Sequence, residues 1–337
     1  MKSISLFTGA GGMDIGMKNN GCNVIMANDI DKHACLTYKS NHKNDILEGN
    51  IDDNMEVLSS FYDIDMIFGG PPCQGFSVAG KMKSDDPRSK LVFSFADAIE
   101  RIRPRFFLME NVKSLGVLNK FKDVRKKLYE RYEKMGYIFI SFVANANEFG
   151  VPQSRERFFI AGARKDLNLM PQNRKLVEHS YPPPKLKDVL LSVGIVGSET
   201  NNRICNAIIT LAKNPVLRKS PYAGMMFNGQ GRPMNIEKFS NTLPATMGGN
   251  RTPIIDNEEL YKNKEAWIIK HHKELIRGEI KNKIVPNFLR RLTVDEAISI
   301  QTFPKDYIFI GNQSKIYNQI GNAVPPKFAE ALCKIFI

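Results

Sequence analysis

The chain has 337 residues, of which 42% are hydrophobic and 25% charged, values typical of a globular protein of one large or two ordinary domains. Its net charge of +13 favours a polyanionic partner, and nucleic acid is favoured over a membrane surface. The alternative is that the positive charge belongs to a lysine-rich solvated surface without such a partner. The five cysteines form no C-x-x-C pair, which argues against a disulfide framework and against a metal site such as zinc. No apolar stretch approaches the roughly 18 residues that span a bilayer, so we expect a soluble cytoplasmic protein with reduced thiols.

The first strand, over residues 4–7, leads into a glycine-rich turn and then a helix that begins near Met13. A strand, a glycine turn and a helix N-terminus together form a cradle for a nucleotide-like ligand. Gly9 and Gly11 match the first two glycines of the G-x-G-x-x-G pattern, but the third position is Asp14. This departure argues against a dinucleotide pyrophosphate and favours a ligand without phosphates. A simple turn without a ligand remains the alternative.

The second strand, over residues 24–28, ends at Asp29, about 20 residues beyond the first glycines. An acidic residue at that place is the usual partner of ribose hydroxyls. Ile30 follows and is expected to pack on a base, before a helix over residues 31–38. After a third crossover, residues 49–51 are expected to present one polar group and one apolar contact to the same ligand.

The fourth strand, over residues 65–68, leads to Cys73 through two consecutive prolines. Prolines cannot donate hydrogen bonds to a sheet, so the strand must end before them. Cys73 therefore lies on a loop just past a strand end, where reacting groups gather in an open α/β sheet. An inert buried thiol is the alternative, but such a cysteine normally lies inside a helix or strand. Residues 81–89 are polar and predict a mobile loop.

A carboxylate stands at the end of the next predicted strand. A helix over residues 91–102 precedes the strand 105–112, which is apolar except for Arg105 at its start and Glu110 and Asn111 near its end. A carboxylate there is costly unless it pairs or takes part in chemistry. Glu110 is accordingly either a functional acid or a cap for the following helix.

Two arginines follow a predicted helix over residues 121–135 and a predicted strand over residues 138–144. In a strand, Arg155 and Arg157 point to the same side of the sheet. Two guanidinium groups on one face suit an anion, a carboxylate or a base oxygen. Partners in surface ion pairs are the alternative.

The α/β alternation ends at the prolines 182–184, which predict a stiff linker. Residues 201–290 contain 15 Lys and Arg against 7 Asp and Glu, together with several glycine-rich loops. We therefore expect a second, smaller and basic domain that follows a nucleic-acid groove. Thr293 and Glu296 form the capping box of a later helix, and a final helix begins near Lys327.

Six motifs occur in the order seen in DNA (cytosine-5)-methyltransferases: FTGAGG at 7–12, PCQ at 72–74, ENV at 110–112, QSRER at 153–157, RLT at 291–293 and GNAVPP at 321–326. The chain resembles the compact bacterial enzymes of restriction–modification systems. The likeness covers about residues 1–165 and 288–337.

The resemblance implies an α/β fold, with a Rossmann-like S-adenosylmethionine-dependent methyltransferase domain and a smaller, mostly β or irregular target-recognition domain. The implied division gives residues 1–185 to the catalytic and cofactor-binding domain and residues 186–287 to target recognition. Residues 288–337 return to the catalytic domain. The implied partner is double-stranded DNA, bound by a monomer in the bacterial cytoplasm. A matching restriction endonuclease would act on the same site without stable contact.

The resemblance also implies the chemistry. Cys73 adds as thiolate to C6 of cytosine, and C5 then attacks the methyl group of S-adenosylmethionine. Glu110, as its protonated acid, donates to N3, while Arg157 contacts the base oxygen and Arg155 supports it. The target base must be flipped out of the duplex, because a thiolate cannot reach C6 inside it. The base that removes the C5 proton is not identified.

The implied cofactor contacts are Phe7, Gly9, Gly11, Gly12, Asp29, Ile30, Asn50, Ile51, Pro72, Leu91, Asn322 and Val324. The DNA-contact candidates are Gln74, Ser77 and Arg88 in the loop after Cys73, and Gly248, Gly249, Asn250 and Arg251 in the middle region. Many relatives have Asp at position 50, where this chain has Asn50, whose amide oxygen can still accept from the adenine amino group.

Three other functions are compatible with parts of the sequence. A tRNA cytosine-5 methyltransferase of similar fold would not need the roughly 100-residue basic region before Arg291. A catalytically silent DNA-binding homologue would not need Cys73, Glu110 and Arg157 together. A nicotinamide-dependent oxidoreductase is opposed by the missing third glycine and by the positive charge. The recognised base sequence cannot be derived, because it depends on base-edge contacts.

Overall fold

The computed structural model describes residues 1–72, 90–279 and 284–336. It divides into two compact units, the first made of Met1–Gly150, Arg155–Pro182 and Ala323–Ile337, the second of Val151–Ser154 and Pro183–Asn322. Residues 288–322, which the sequence analysis groups with the catalytic segment, belong to the second compact unit; the division by function stays a prediction. Among the described residues, no helix is long and apolar enough to cross a membrane.

The strands are β1 (Lys2–Leu6), β2 (Asn23–Asp29), β3 (Asp45–Glu48), β4 (Met66–Gly69), β5 (Phe106–Val112), β6 (Tyr137–Asn145), β7 (Gln153–Ser154), β8 (Glu156–Arg164), β9 (Leu211–Val216), β10 (Met225–Phe227), β11 (Ser240–Asn241), β12 (Ile254–Asp256) and β13 (Leu289–Arg291).

The helices are α1 (Gly12–Asn19), α2 (Lys32–Asn41), α3 (Met55–Ser59), α4 (Leu91–Ile102), α5 (Lys113–Val117), α6 (Lys122–Lys134), α7 (Asn173–Glu178), α8 (Leu186–Val193), α9 (Asn257–Lys262), α10 (Trp267–Ile276), α11 (Val294–Ile300), α12 (Gln313–Asn322) and α13 (Pro326–Cys333).

The first unit is built on a seven-stranded sheet in the order β3-β2-β1-β4-β5-β8-β6. The five strands from β3 to β5 run parallel, and β8 runs antiparallel to both β5 and β6. The strand order reverses between β1 and β4, and ligands of open α/β sheets bind at such a switch point, outside the carboxyl ends of the strands. The α/β fold expected from the sequence is confirmed.

The core of the first unit follows from the spacing of apolar residues. On α4 the side chains of Val92, Phe95 and Ile99 are fully buried, at the i, i+3, i+7 spacing of one helix face. Phe107 on β5 stacks on Tyr132 of α6 with ring centroids 4.4 Å apart. Removing such a buried ring costs about 3–5 kcal/mol, so these contacts fix the strand that carries Glu110.

The second unit has short strands, of two to six residues, in three two-stranded pairs: β10 with β9, β11 with β7, and β12 with β13. An apolar cluster in this unit includes Met226, Phe227, Ile254 and Ile268. Arg291 is buried, and its guanidinium donates to the carbonyl oxygens of Ala207, Ile208 and Thr252. One side chain thus joins three loop carbonyls, which helps to order a unit with little regular structure.

Candidate active site

The glycine turn after β1 has the geometry that a close ligand needs. Phe7 and Gly9 both have positive φ, 54° and 55°, and Gly11 is the N-cap of α1 with φ 78°. Gly12 is the first residue of α1. The backbone therefore turns sharply at the end of β1, at the carboxyl end of the sheet.

Asp29 at the end of β2 connects this turn to the neighbouring strands. Its Oδ2 accepts a hydrogen bond of 2.7 Å from the Gly9 N–H, and its Oδ1 accepts one of 2.8 Å from the Asp31 N–H. Its carbonyl accepts from the Gly49 N–H after β3. Burial raises the pKa of the Asp29 carboxyl, and the two backbone donors oppose that rise. The side chain is thus held at the meeting point of three strand ends.

The hydrogen bond from the Gly9 N–H to Asp29 limits which ligands fit at this turn. A phosphate at this turn would need the free Gly9 N–H, but that donor already serves Asp29, whose charge repels an anion. Asp14, at the position of the third glycine, is fully buried and cannot approach a ligand. A ligand with ribose hydroxyls and no phosphate fits, and S-adenosylmethionine is such a ligand, with a positive charge in addition.

The apolar residues predicted to contact the rest of such a ligand differ in their exposure. The Ile30 side chain is 70% exposed directly after the carboxylate, as expected of a surface that a base would cover. Ile51 and Val324 are buried, whereas Pro72 and Leu91 are partly exposed. Leu91 is the first residue of α4.

Two predicted cofactor contacts are amides. The Oδ1 atom of Asn50 accepts a 3.3 Å hydrogen bond from the Asp52 N–H, so the amide oxygen already has one donor. Asn322 is the last residue of α12 in the second unit, and its Nδ2 donates to the Oδ1 of Asn318 at 3.1 Å. Their roles at a cofactor stay predictions.

Glu110 and Arg157 form an ion pair at the end of β5. Val112 is paired with Arg157 and Glu110 with Phe159 across the antiparallel β5–β8 ladder, so Glu110 and Arg157 are diagonal neighbours on one face. The Arg157 Nε lies 2.9 Å from the Glu110 Oε1, with the side chains 15% and 12% exposed. The pairing leaves Oε2 of the carboxylate beside Gly70.

Gly70 gives this carboxylate its room. A Cβ at Gly70 would lie 2.8 Å from the Glu110 Oε2, shorter than side-chain carbons approach other atoms. The neighbouring Asn111 is buried, and its Nδ2 donates to the Pro71 carbonyl at 3.0 Å. Asn111 thus ties the acid-bearing strand to the segment that leads toward Cys73. Sequence reasoning did not assign this role, although a buried amide next to Glu110 was the available signal.

Arg155 and Arg157 were expected to lie in one strand, but only Arg157 lies in a strand, β8. Arg155 lies in the break between β7 and β8, outside both strands, and is almost fully buried. The physical reason is that β7 pairs with β11, whereas β8 pairs with β5 and β6, so the regular pairing is interrupted at Arg155. The Arg155 N–H donates to the Asn145 Oδ1 at 2.8 Å. A supporting role fits this buried position; contact with a base is expected of Arg157 alone.

The candidate residues of the second unit form a tight turn. The Gly248 N–H donates to the Thr252 Oγ1 at 2.9 Å, and the Gly231 N–H donates to the Asn250 carbonyl at 3.0 Å. The side chains of Asn250 and Arg251 are exposed, and the Arg251 Nη1 is 3.4 Å from the Thr246 Oγ1. A Cβ added at Gly249 would have no neighbouring atom within 4 Å. The turn can present polar groups to a partner, and its role in DNA contact stays a prediction.

Four predicted site residues lie outside the described residues: Cys73, Gln74, Ser77 and Arg88. In the described ranges 1–72, 90–279 and 284–336, no group of three His, Cys, Asp or Glu side chains could hold a metal ion. The described chemistry at the end of β5 therefore consists of the Glu110–Arg157 pair and the strand end that leads into Cys73.

Comparison with known proteins identifies relatives along nearly the whole chain. The C-5 cytosine-specific DNA methylase family matches residues 1–336. Type II methyltransferase M1.HphI of Haemophilus parahaemolyticus is 30% identical over 343 residues, which cover 98% of this chain and 85% of the relative. Type II methyltransferase M.FnuDI of Fusobacterium nucleatum is 32% identical over 342 residues, covering 99% and 93%.

Solved structures agree on the fold. A DNA modification methyltransferase described as putative in its own structure report, encoded within an Escherichia coli prophage, superposes with a TM-score of 0.71 at 22% identity, over 99% of this chain and 98% of that one. A mutant of Spodoptera frugiperda DNMT2 superposes with a TM-score of 0.69 at 22% identity, over 99% of both chains. Together, the family match, the relatives and the site geometry lead to one conclusion: this chain belongs to the C-5 cytosine-specific DNA methylase family.

Proposed function

We propose that this protein transfers the methyl group of S-adenosylmethionine to C5 of a cytosine in a specific double-stranded DNA sequence, as the modification enzyme of a restriction–modification system. The observation that carries the proposal is the Glu110–Arg157 pair, 2.9 Å apart at the end of β5 and tied through Asn111 to the segment before Cys73. Such an acid, guanidinium and thiol suit a ring that must be activated before it reacts. Similarity to Type II methyltransferases supports the same reaction.

The Cys73 thiolate adds to C6 of the target cytosine and forms a carbon–sulfur bond. Glu110 supplies the proton that N3 takes up and holds the 4-amino group, so the ring electrons shift toward C5. Arg157 donates to the base oxygen while its Nε keeps Glu110 in place. When bound, S-adenosylmethionine supplies an electrophilic methyl group. Once C5 carries the methyl group, the C5 proton leaves to a base, the Cys73 sulfur departs as thiolate and N3 returns its proton to Glu110, which restores the aromatic ring.

The target base must leave the duplex before the thiol can reach C6. Unstacking and unpairing a base cost a few kcal/mol, which contacts to the opened DNA must offset. The proposed contacts are Gln74, Ser77 and Arg88 in the segment after Cys73, and the turn of Gly248, Gly249, Asn250 and Arg251. The exposed side chains of Asn250 and Arg251 support the second of these assignments.

The cofactor would be held at the carboxyl ends of the parallel strands. The Asp29 carboxylate would accept the ribose hydroxyls, and the exposed Ile30 side chain would pack against the adenine. The turn of Phe7, Gly9, Gly11 and Gly12 would complete the cradle for the cofactor. The remaining proposed contacts are Asn50, Ile51, Pro72, Leu91, Asn322 and Val324.

The substrate class is tested by methyl transfer to two nucleic acids. Purified protein is incubated with methyl-labelled S-adenosylmethionine and either bacterial genomic DNA or total tRNA, and the products are digested to nucleosides. We expect labelled 5-methyldeoxycytidine from the DNA and no label in the tRNA. Label in tRNA alone would instead select the tRNA-methyltransferase alternative. Binding of DNA without any transfer would select the silent homologue.

The biological role is tested in cells. Bisulfite sequencing of DNA from a host that expresses the protein is expected to reveal methylated cytosine at one short recurring sequence. We further propose that the protein acts as a monomer on DNA in the bacterial cytoplasm, while a separate endonuclease cuts the same unmethylated sequence. Methylation without any sequence preference would contradict a restriction–modification role.

A further inference from the structure

The turn that faces the cofactor site is strained at one residue. Phe7 has φ 54°, a left-handed conformation that is unfavourable for a bulky side chain. Such a conformation persists only where the surrounding structure over-determines it, and it is concentrated at functional sites. The groups that hold Phe7 in this state therefore control the shape of the turn.

Thr8 makes three of the hydrogen bonds that hold the turn. Its N–H donates to the Asn28 carbonyl at 3.1 Å, and its carbonyl accepts from the Gly11 N–H at 3.0 Å. Its hydroxyl donates to the Asp14 Oδ2 at 2.6 Å. The backbone bonds of Thr8 are common to any residue, whereas the third bond depends on the side chain at this position.

Asp14 is the buried anchor of that third bond. It is fully buried at the first turn of α1, and its carboxylate accepts hydrogen bonds from three hydroxyl groups. Ser5 on β1 donates to Oδ2 at 2.9 Å, as Thr8 does from the turn, and Tyr38 on α2 donates to Oδ1 at 2.8 Å. A buried carboxylate needs such donors, so Asp14 ties the turn to three elements of the fold.

We propose that Thr8 and Asp14 are positioning residues of the cofactor site. The Thr8–Asp14 bond holds the strained turn so that the Gly9 N–H points at the Asp29 Oδ2, 2.7 Å away. Asp29 is thereby kept with its carboxylate oriented for the ligand hydroxyls. Neither Thr8 nor Asp14 needs to touch the cofactor. This inference rests on the proposed use of Asp29 at the cofactor.

The test compares two substitutions that each remove one hydroxyl donor from the same carboxylate. Thr8→Val keeps the shape of threonine but removes the donor on the turn. Tyr38→Phe removes the donor on the far side of Asp14, away from the turn, and is the matched control. Thr8→Ser restores a hydroxyl and is the rescue variant. The dissociation constant of S-adenosylhomocysteine is measured by calorimetry, and the protection of the Gly9 amide by hydrogen exchange.

We expect Thr8→Val to weaken S-adenosylhomocysteine binding about tenfold, the usual effect of one lost hydrogen bond to a charged group. The Gly9 amide should exchange faster in that variant, and Thr8→Ser should bind like the wild type. Each of Thr8→Val and Tyr38→Phe removes one hydrogen bond to Asp14, so the two should lower the melting temperature by similar amounts. Tyr38→Phe should nevertheless leave the affinity for S-adenosylhomocysteine within about twofold of the wild-type value. Equal losses of affinity in Thr8→Val and Tyr38→Phe would overturn the inference, as would wild-type affinity in both. Absence of binding by the wild type itself would contradict the proposed function instead.

Discussion

Glu110 lies between a glycine that leaves it room and an arginine that holds it. Gly70 has no Cβ to meet the Glu110 Oε2, and the Arg157 Nε is 2.9 Å from the Oε1. One oxygen is therefore engaged by a cation, while the other faces the strand end that precedes Cys73. Each side of the carboxylate can be tested by a single substitution.

Gly70→Ala is expected to slow methyl transfer strongly while the protein stays folded. The added Cβ would lie 2.8 Å from the Glu110 Oε2, which is the far end of a side chain and can move aside. A displacement of about 1 Å at a catalytic group can cost about a hundredfold in rate. Single-turnover methylation of genomic DNA measures the effect, with the melting temperature and the affinity for S-adenosylhomocysteine as controls. A variant with the wild-type rate would show that this position of Glu110 is not needed.

Arg157→Lys is expected to lower the rate of methyl transfer by about a hundredfold, although the positive charge is kept. A lysine ammonium group cannot hold Glu110 and also donate to the base oxygen, as the separate nitrogens of a guanidinium group can. Removal of one hydrogen-bond donor from an active site commonly lowers the rate by about a hundredfold. Single-turnover rates on the same DNA measure the change.

Glu156→Gln is the matched control for the arginine variant. It breaks the exposed Lys113–Glu156 ion pair of 2.6 Å next to Arg157, and exposed pairs contribute only about 0–1 kcal/mol. Its methylation rate should equal that of the wild type. A full rate in Arg157→Lys, or an equal loss in both variants, would contradict the role of Arg157.

At the scale of single elements, α11 begins with a complete capping box. The Thr293 hydroxyl accepts from the Glu296 N–H at 3.1 Å, and the Glu296 carboxylate accepts from the Thr293 N–H at 3.0 Å. The same hydroxyl donates to the buried Asn201 Oδ1 at 2.6 Å. The cap therefore serves the helix and also ties it to the loop after α8.

Thr293→Ala is expected to destabilise the protein by about 1–2 kcal/mol, because it removes the cap and leaves the Asn201 oxygen without this donor. Urea unfolding monitored by far-ultraviolet circular dichroism measures the change. Ser299→Ala, later in the same helix, should change stability by no more than about 0.5 kcal/mol. If the two variants unfold at the same urea concentration, the capping box contributes nothing measurable.

The long periodic elements and the short strands β1, β2 and β4 are predictable from sequence, whereas the short helices of the second unit are not. The helix predicted over residues 91–102 is α4, and the strand predicted over residues 138–144 is β6, because apolar spacing alone identifies them. The helices α9 and α10 were not predicted, since six to ten residues among charged loops give little periodic signal. The direction of β8 was not predicted from the sequence either. This strand runs antiparallel to β5, and that pairing makes Arg157 a diagonal neighbour of Glu110.

Candidate site residues are predictable from the sequence where a residue type is unusual for its position in a strand or turn. A carboxylate that ends an apolar strand and a glycine turn without a third glycine both indicate candidate site residues from the sequence alone. The role of Asn111 in linking β5 to the segment before Cys73 was not predictable, because its hydrogen-bond partner is a backbone carbonyl 40 positions away in the sequence. Thr8 was equally hidden, since its importance depends on the strained φ of Phe7.

At the scale of the whole molecule, the net charge of +13 predicts binding to DNA that depends steeply on salt. The logarithm of the affinity should fall linearly with the logarithm of salt concentration, with a slope of about −0.9 per neutralised phosphate. Fluorescence anisotropy of a labelled genomic duplex at several salt concentrations gives the slope. A slope near zero would contradict a phosphate-binding role for the surplus charge.

Two lysine variants show where that charge acts. Lys219→Gln, exposed in the basic region of the second unit, should reduce the magnitude of the slope by about 1 if Lys219 contacts a phosphate. Lys134→Gln, exposed at the end of α6 in the first unit, should leave the slope unchanged. The reverse result would move the DNA surface to α6.

The covalent adduct between Cys73 and the target base is the central claim, and trapping it is the most direct test. Genomic DNA fragments amplified with 5-fluorodeoxycytidine triphosphate are incubated with the protein and S-adenosylmethionine, because fluorine at C5 cannot leave as a proton does. From the proposed mechanism we expect a protein–DNA complex that survives denaturing electrophoresis for the wild type and is absent for Cys73→Ala. A wild-type protein that methylates ordinary DNA but gives no such complex, or a Cys73→Ala variant that is trapped equally well, would contradict it.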